Sequence, residues 1–347
     1  MRRTWLRRVL GALLALVLTA GAAVAWVAYQ NSYDLREQRV TITGGVQPLD
    51  GVLARPESGD GPFGLVVFVH GDGPADATRD TFYRPIWESL ARAGYASLSW
   101  NKPGVAGAPG DWLDQSMDDR AAETAAAIAW ARAQPGIDPG RIGLWGISQA
   151  GWVLPKVANR VPDVRFVIAA SPAVNWLRQG RYNLLAELAD EHAPQARVDA
   201  ELARRERVDE QLRKGATYEQ ARAAVGADLG DLTPARWRFI GRNFTVDATA
   251  DLAALKVPVL LVLGGRDRNV DVADTEAGYR RLLTAPGQLT VHSYPVATHG
   301  LAHPYAEDGS VRGLLTAVAA PRSVYVDGYL DDLRRYLEST APTGVHR

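Results

Sequence analysis

Ser148 stands in the run Gly146-Ile147-Ser148-Gln149-Ala150-Gly151, where an apolar stretch gives way to a helix-like one. A serine hydroxyl is a weak nucleophile unless a tight turn thrusts it toward its target and a base takes its proton. Such a turn crowds the positions two before and two after the serine, so only small side chains fit there. Gly146 and Ala150 meet that demand, Ala150 being slightly bulkier than glycine. A small-x-Ser-x-small pentapeptide arises by chance in many chains, so its weight depends on its surroundings. The chemistry needs a base, an acid to orient that base, and amide donors for the oxyanion formed on attack. The histidines that follow the serine are His192, His292, His299, His303 and His346, the last in the C-terminal tail.

The elements around these residues alternate. Residues 40–44 and 51–54 read as an opening antiparallel pair, and 65–69 is a continuous apolar run of the kind buried inside a sheet. Further strands are expected at 95–100, 142–145, 166–170, 259–263 and 289–294. Helical patterns lie between them at 81–93, 119–133, 149–159 and 274–283, with another at 324–337 after the last strand. The alternation predicts an α/β fold, a mostly parallel eight-stranded sheet with helices on both faces. In such sheets ligands bind beyond the carboxyl ends of the strands, which is where Ser148 falls. Residues 171–251 break the pattern with helical segments only, including a capping box at Thr217 and Gln220 and a helix start at Thr233-Pro234. This region is expected to be a helical lid inserted after the sixth strand, with Trp176, Tyr182, Trp237 and Phe244 available as apolar lining; the alternative is a solvated surface insertion without catalytic bearing.

At the start of the chain, Arg2, Arg3, Arg7 and Arg8 precede an uncharged stretch at residues 9–29. Twenty-one residues are enough to span a bilayer as a helix and exceed the apolar core of an ordinary signal peptide. Trp5, Trp26 and Tyr29 lie near its ends, where aromatic rings favour the membrane interface. An uncleaved signal-anchor is the first reading. A signal cleaved after a small-residue triplet, and a buried soluble helix, are the alternatives. In an anchor the arginines stay cytoplasmic and the catalytic part is extracytoplasmic; with cleavage it is secreted. The formal charge is zero, and about minus four without those arginines, which argues against a nucleic-acid partner. The absence of cysteine excludes disulfides, thiolate chemistry and cysteine–zinc sites. The expected division is therefore 1–30 as signal-anchor, 38–170 and 252–341 as the two parts of the core, and 171–251 as the lid.

Four motifs stand at the strand ends: His70-Gly71-Asp72-Gly73, Gly146-Ile147-Ser148-Gln149-Ala150-Gly151, Gly264-Gly265-Arg266-Asp267 and Thr298-His299-Gly300. Together they resemble the α/β-hydrolase superfamily over nearly everything after residue 38, with the elbow in the variant G-x-S-x-A. Within it the chain looks most like the dienelactone-hydrolase-like and prolyl-oligopeptidase-like branch, on the opening Leu49-Asp50-Gly51-Val52-Leu53-Ala54-Arg55-Pro56 ahead of the His-Gly loop. Asn101-Lys102-Pro103-Gly104 stands where that branch often has Asp-x-Arg-Gly, a departure that bears on local loop contacts. The superfamily's chain order of serine, acid, histidine implies Asp267 as the acid and His299 as the base, with His303 as the competing base. Asp271 is expected to cap the following helix. The resemblance also implies an oxyanion hole from the amides of Gln149 and Asp72, with His70 supporting the loop. A carboxylate at Asp72 is unusual beside a developing oxyanion; it points away or meets a cation.

The expected function is a serine hydrolase cleaving a carboxylic ester through an acyl-enzyme, its substrate a small-molecule ester or acyl compound. No metal or organic cofactor is implied. The alternatives on the same triad are a peptidase or amidase and a thioesterase. With only about 30 residues ahead of the core, the β-propeller that prolyl oligopeptidases commonly carry is not expected here. An alternative of another class is a non-catalytic, membrane-tethered binding protein with the hydrolase fold.

Overall fold

Unbroken burial along the central apolar runs decides where they lie. In the computed structural model, which describes residues 2–340, no residue of β3 (Phe63–Val69) or β4 (Tyr95–Trp100) is exposed. Chains with no solvated face belong inside a sheet covered on both sides. After α1 (Arg2–Gln30), β1 (Leu35–Ile42) and β2 (Leu49–Pro56) form the antiparallel edge pair. The sheet continues through β5 (Ile137–Ile147), β6 (Val164–Ala170), β7 (Val259–Gly264) and β8 (Leu289–Tyr294). Its order is β1-β2-β4-β3-β5-β6-β7-β8, with every pair from β4 to β8 parallel. All eight expected strands are present.

Alternation along each strand builds two cores. Leu65, Val67, Leu144, Val167 and Leu261 share one with α3 (Met117–Arg132), α4 (Leu154–Arg160) and, later in the chain, the tyrosine Tyr279. Val66, Phe68, Trp145, Ile168 and Leu260 share the other with Trp87 and Leu90 of α2 (Tyr83–Arg92). Between β6 and β7 the insertion forms α5 (Trp176–Asp190), α6 (Gln195–Arg213), α7 (Tyr218–Val225), α8 (Pro234–Asn243) and α9 (Thr249–Ala254). Its capping box at Thr217–Gln220 and the Thr233 cap form as expected. After β7 come α10 (Val272–Leu282), capped by Asp271, then α11 (Pro304–Glu307), α12 (Val311–Ala319) and α13 (Tyr329–Thr340).

Three local expectations are corrected. The helix expected at 149–159 is a 3-10 turn at Ser148–Trp152 followed by α4, because the tight turn at Ser148 cannot run straight into α geometry and Pro155 suits a helix start. The helix expected at 324–337 begins only at Tyr329: Tyr325 bridges Ala302, and Gly328 has a φ of 87°. Trp237 and Phe244 do not line the site; they pack with Leu212, Ala221 and Leu229 in a small core inside the insertion. His346 lies outside the described residues. The N-terminal helix has the length and composition of a membrane span from Trp5 to Gln30, which an anchor and a signal sequence share, and its side chains are unburied.

Packing around the turn after β5 leaves no room for a larger residue at position 151. A β-carbon there would lie 2.4 Å from the Ala173 carbonyl oxygen and 2.8 Å from its nitrogen. Gly151→Ala is expected to lower stability by about 1–3 kcal/mol. Gly241→Ala, which meets nothing within 4 Å inside α8, should be neutral or stabilising. Urea denaturation of both variants checks the contrast; equal midpoints would contradict it.

Candidate active site

The elbow forms where β5 ends. Ser148 has a φ of 59°, a conformation disfavoured for any residue with a β-carbon, and its carbonyl accepts the Ala173 N–H at 3.0 Å. A β-carbon on Gly146 would sit 2.6 Å from Ala150 Cβ, so the methyl of Ala150 occupies space that Gly146 leaves open. The two positions compete for one volume, which explains why an alanine is accommodated at the second when glycine holds the first. Gly71 approaches from the neighbouring loop, its missing side chain leaving Ser148 Cβ about 3.4 Å from where a β-carbon would stand.

Asp267 and His299 are brought together. The imidazole Nδ1–H donates to Asp267 Oδ2 at 2.8 Å, which leaves Nε2 as the free acceptor. The other carboxylate oxygen accepts the N–H groups of Asn269 (2.8 Å) and Val270 (2.9 Å), and the carboxylate is fully buried. These bonds hold the Asp267 carboxylate independently of its bond to His299. Gly264 and Gly265 let the two loops interlock: β-carbons there would fall 2.3 Å from Thr298 O and 2.7 Å from Pro295. Gly265 N donates to Tyr294 O and Arg266 N to Ala297 O, both at 2.8 Å. Tyr182 of α5 donates its hydroxyl to the Asp267 carbonyl at 2.9 Å. Among the described hydrogen bonds none joins Ser148 Oγ to His299; resting active sites are commonly looser than loaded ones.

The remaining histidines lie elsewhere. His303 stacks on Tyr305, His292 meets Asp332 from within β8, and His192 turns back on Asp190 O. His70 supports its loop, as expected. Its Nε2–H donates to Trp100 O at 2.7 Å, so Nδ1 must accept from the Tyr83 hydroxyl at 3.1 Å. Burial, aided by the charge of Lys102, pushes this imidazole down to about 3 and keeps it neutral.

Three basic side chains, two of them without a trace in the sequence pattern, organise the loop at Asp72. Lys102, buried, donates to Gly71 O (2.6 Å) and Gly73 O (2.7 Å) and lies 4.8 Å from the centre of the Trp112 ring. Burial and the neighbouring Arg120 lower its pKa well below the usual lysine range. Arg120, also buried, donates to His70 O and to Gln149 Oε1, each at 2.5 Å. Gln149 Nε2 passes the chain on to Asp72 Oδ1 at 2.9 Å. Arg236 of α8 closes it with a two-pronged contact to Asp72, at 3.0 Å to Oδ1 and 2.5 Å to Oδ2. Burial raises the Asp72 pKa, but the Arg236 hydrogen bond and charge outweigh it and hold the carboxyl below its ordinary range. The odd carboxylate therefore meets a cation of the insertion. Lys102 had a trace in the sequence, as the departure in Asn101-Lys102-Pro103-Gly104; Arg120 and Arg236 look like surface arginines of their helices.

A mostly parallel sheet with a strained serine turn, a buried aspartate and an interlocked histidine defines a hydrolase of the α/β-hydrolase fold. The chain belongs to the S15 family: the family model described as X-Pro dipeptidyl-peptidase matches residues 45–299. No curated protein matches the chain in sequence. Similar solved structures include an esterase from Pyrococcus furiosus, 17% identical with a TM-score of 0.52, covering 76% of this chain and 84% of that one. An esterase from Pyrobaculum calidifontis is 16% identical with a TM-score of 0.52, covering 92% and 91%. An acylaminoacyl peptidase from Pyrococcus horikoshii is 15% identical with a TM-score of 0.53, covering 90% of this chain and 42% of that one. At these identities the likeness is one of fold.

The neutral, buried His70 links stability to pH. An unfolded imidazole takes its proton near 6.5 and the folded one only near 3, so the unfolded state binds more protons between those values. The His70 contribution is complete above pH 6.5 and is lost progressively as pH falls toward 3. His70→Asn should reduce the slope of urea midpoint against pH in that window; an unchanged slope would contradict the assignment.

Proposed function

We propose that the protein is a serine hydrolase that cleaves a carboxylic ester through an acyl-enzyme intermediate. The observation that carries this reading is the Asp267–His299 hydrogen bond on the same edge of the sheet as the positive-φ Ser148. Ser148 Oγ attacks the ester carbonyl as His299 Nε2 takes its proton. Asp267 holds the imidazole tautomer and stabilises the imidazolium. The amides of Asp72 and Gln149 receive the oxyanion, which collapses as His299 returns the proton to the departing alcohol. Water then repeats the sequence on the acyl-enzyme, releasing the acid and restoring the serine.

The insertion serves in this reading as a lid. Arg236 reaches from α8 to Asp72 in the loop that supplies one oxyanion donor, so movement of α8 is coupled to that loop. The N-terminal helix serves as an uncleaved anchor, with the catalytic part outside the cytoplasm.

A second reading is cleavage of a peptide after a proline, favoured by the description of the matching family. A dipeptide-releasing enzyme has to receive a free amino terminus, usually on an anion. Asp72 lies close to the elbow through Gln149, but both its oxygens are engaged by Arg236. That engagement favours the ester.

Four measurements test these assignments. Ser148→Ala should abolish labelling by a fluorophosphonate, and persistent labelling would sink the nucleophile assignment. His299→Ala should slow acylation on the order of 10⁴-fold or more while His303→Ala leaves it near normal; the reverse pattern would make His303 the base. Comparing kcat/KM for p-nitrophenyl esters with that for aminoacyl-prolyl amides separates the two substrate readings, and preference for the amides overturns the ester. For the lid, Arg236→Ala should speed amide exchange across α8 without affecting α3, and unchanged exchange would remove the clasp from the account.

A further inference from the structure

A second apolar surface lies beside the exit of α1. On α12, Val311, Leu314, Leu315 and Val318 are 73%, 67%, 61% and 50% exposed. At 100° per residue these four fall within one arc of roughly 100°, so they form a continuous stripe. Gly313, on the opposite side, packs so closely that a β-carbon would lie 2.1 Å from Tyr305 O. Arg312 flanks the stripe and covers the Tyr305 ring at 3.9 Å. An exposed face of four large aliphatic side chains on one short helix is unusual for a surface that meets only water.

The end of α12 is tied to the end of α1. Trp26 Nε1 donates to Ala319 O at 2.9 Å, and Asn31 Nδ2 to Val318 O at 2.7 Å. Arg322, just beyond α12, donates to Gln30 O and Ser32 O, each at 2.8 Å. Its guanidinium also pairs with the buried Glu88 of α2 at 2.7 Å and lies 4.6 Å from the centre of the Tyr33 ring. The point where α1 ends is thus fastened to the body, and α12 cannot swing away from it. Trp26 and Tyr29 are the aromatic residues of α1 expected at the membrane interface, so these bonds hold the last turn of α12 at the level where the span leaves the hydrocarbon.

We infer that α12 is a second membrane contact, its Val311–Leu314–Leu315–Val318 stripe seated in the interface of the same bilayer that α1 crosses. The occupant is lipid because lipid surrounds the residues of α1 to which α12 is bonded. An apolar stripe flanked by an arginine suits a helix lying in the interfacial plane. The chain runs from His299 through Gly300–His303 into α11 and α12, and Glu307 Oε1 would lie 2.4 Å from a β-carbon on Gly300. The membrane contact and the histidine loop are therefore consecutive parts of one packed segment. The inference rests on α1 being retained as a span.

The absence of native cysteine allows single labels on the full-length protein. Leu16→Cys in α1, Leu315→Cys in α12 and Asp199→Cys in α6 are each labelled with a polarity-sensitive fluorophore in phosphatidylcholine vesicles, with ester turnover as the check on folding. Labels at 16 and 315 should shift to the blue and be quenched by nitroxide-bearing lipids but not by iodide. The label at 199 should respond to iodide alone. A label at 315 quenched by iodide while that at 16 sits in lipid would overturn the inference and leave the anchor standing. A label at 315 shielded from both quenchers would assign the stripe to a second copy of the chain and overturn it equally. Iodide quenching at both 16 and 315 would defeat the anchor and the inference together.

Discussion

Ser148 is held at a φ of 59°, and the residues around it are those that a turn of that shape permits. A non-glycine residue in this region carries strain of about 1–3 kcal/mol, which surrounding contacts have to offset. Those contacts are specific. Ala173 N caps the Ser148 carbonyl, Gly151 lets that backbone approach, and Gly146 and Ala150 divide one small volume between them. Gly71 brings the neighbouring loop against the serine. The same constraint cuts the following helix into a 3-10 turn and the short α4. A single backbone conformation thus fixes the local sequence, the secondary structure after it and the exposure of the hydroxyl.

Two further layers support that turn. On one side the Gly264-Gly265 bend and the chain at residues 294–297 share backbone hydrogen bonds, which hold Asp267 and His299 against each other. On the other, Lys102 and Arg120 bind carbonyl oxygens of the His70–Gly73 loop and pin its backbone. Buried cations are costly unless they are paired or hydrogen-bonded, and here each meets two oxygens, Lys102 those of Gly71 and Gly73 and Arg120 those of His70 and Gln149. Asp72 would oppose an oxyanion as a free charge, and its pairing with Arg236 removes much of that opposition. The proposed lid and the proposed oxyanion donor are accordingly joined by a charged contact that links access to the site with its electrostatics.

Much of this is legible in the amino-acid sequence. The central strand β3 is an uninterrupted apolar run, and β4 and β8, though they carry polar residues, match their expected limits because turn residues bound them sharply. Asp267 and His299 were legible because each follows a strand end at a glycine-marked turn. The cations were not. Arg120 and Arg236 are contacts across 50 and 164 positions of chain, and a helix carrying an arginine looks the same whether that arginine faces water or a buried carbonyl. Trp237 and Phe244 misled for a similar reason: an aromatic residue reveals a core but not which core, and the insertion has its own. The segment α11–α12 was missed because its apolar residues face outward, against the pattern by which a helix is recognised in a soluble fold.

The proposed activity depends on covalent chemistry at one strained serine. Mixing the protein with a slowly deacylated p-nitrophenyl ester, quenching in acid and mapping the modified peptide by mass spectrometry tests it most directly. The expected result is a burst of about one equivalent of p-nitrophenol and a matching acyl adduct on Ser148. Turnover with no adduct, or an adduct on another residue, would contradict it.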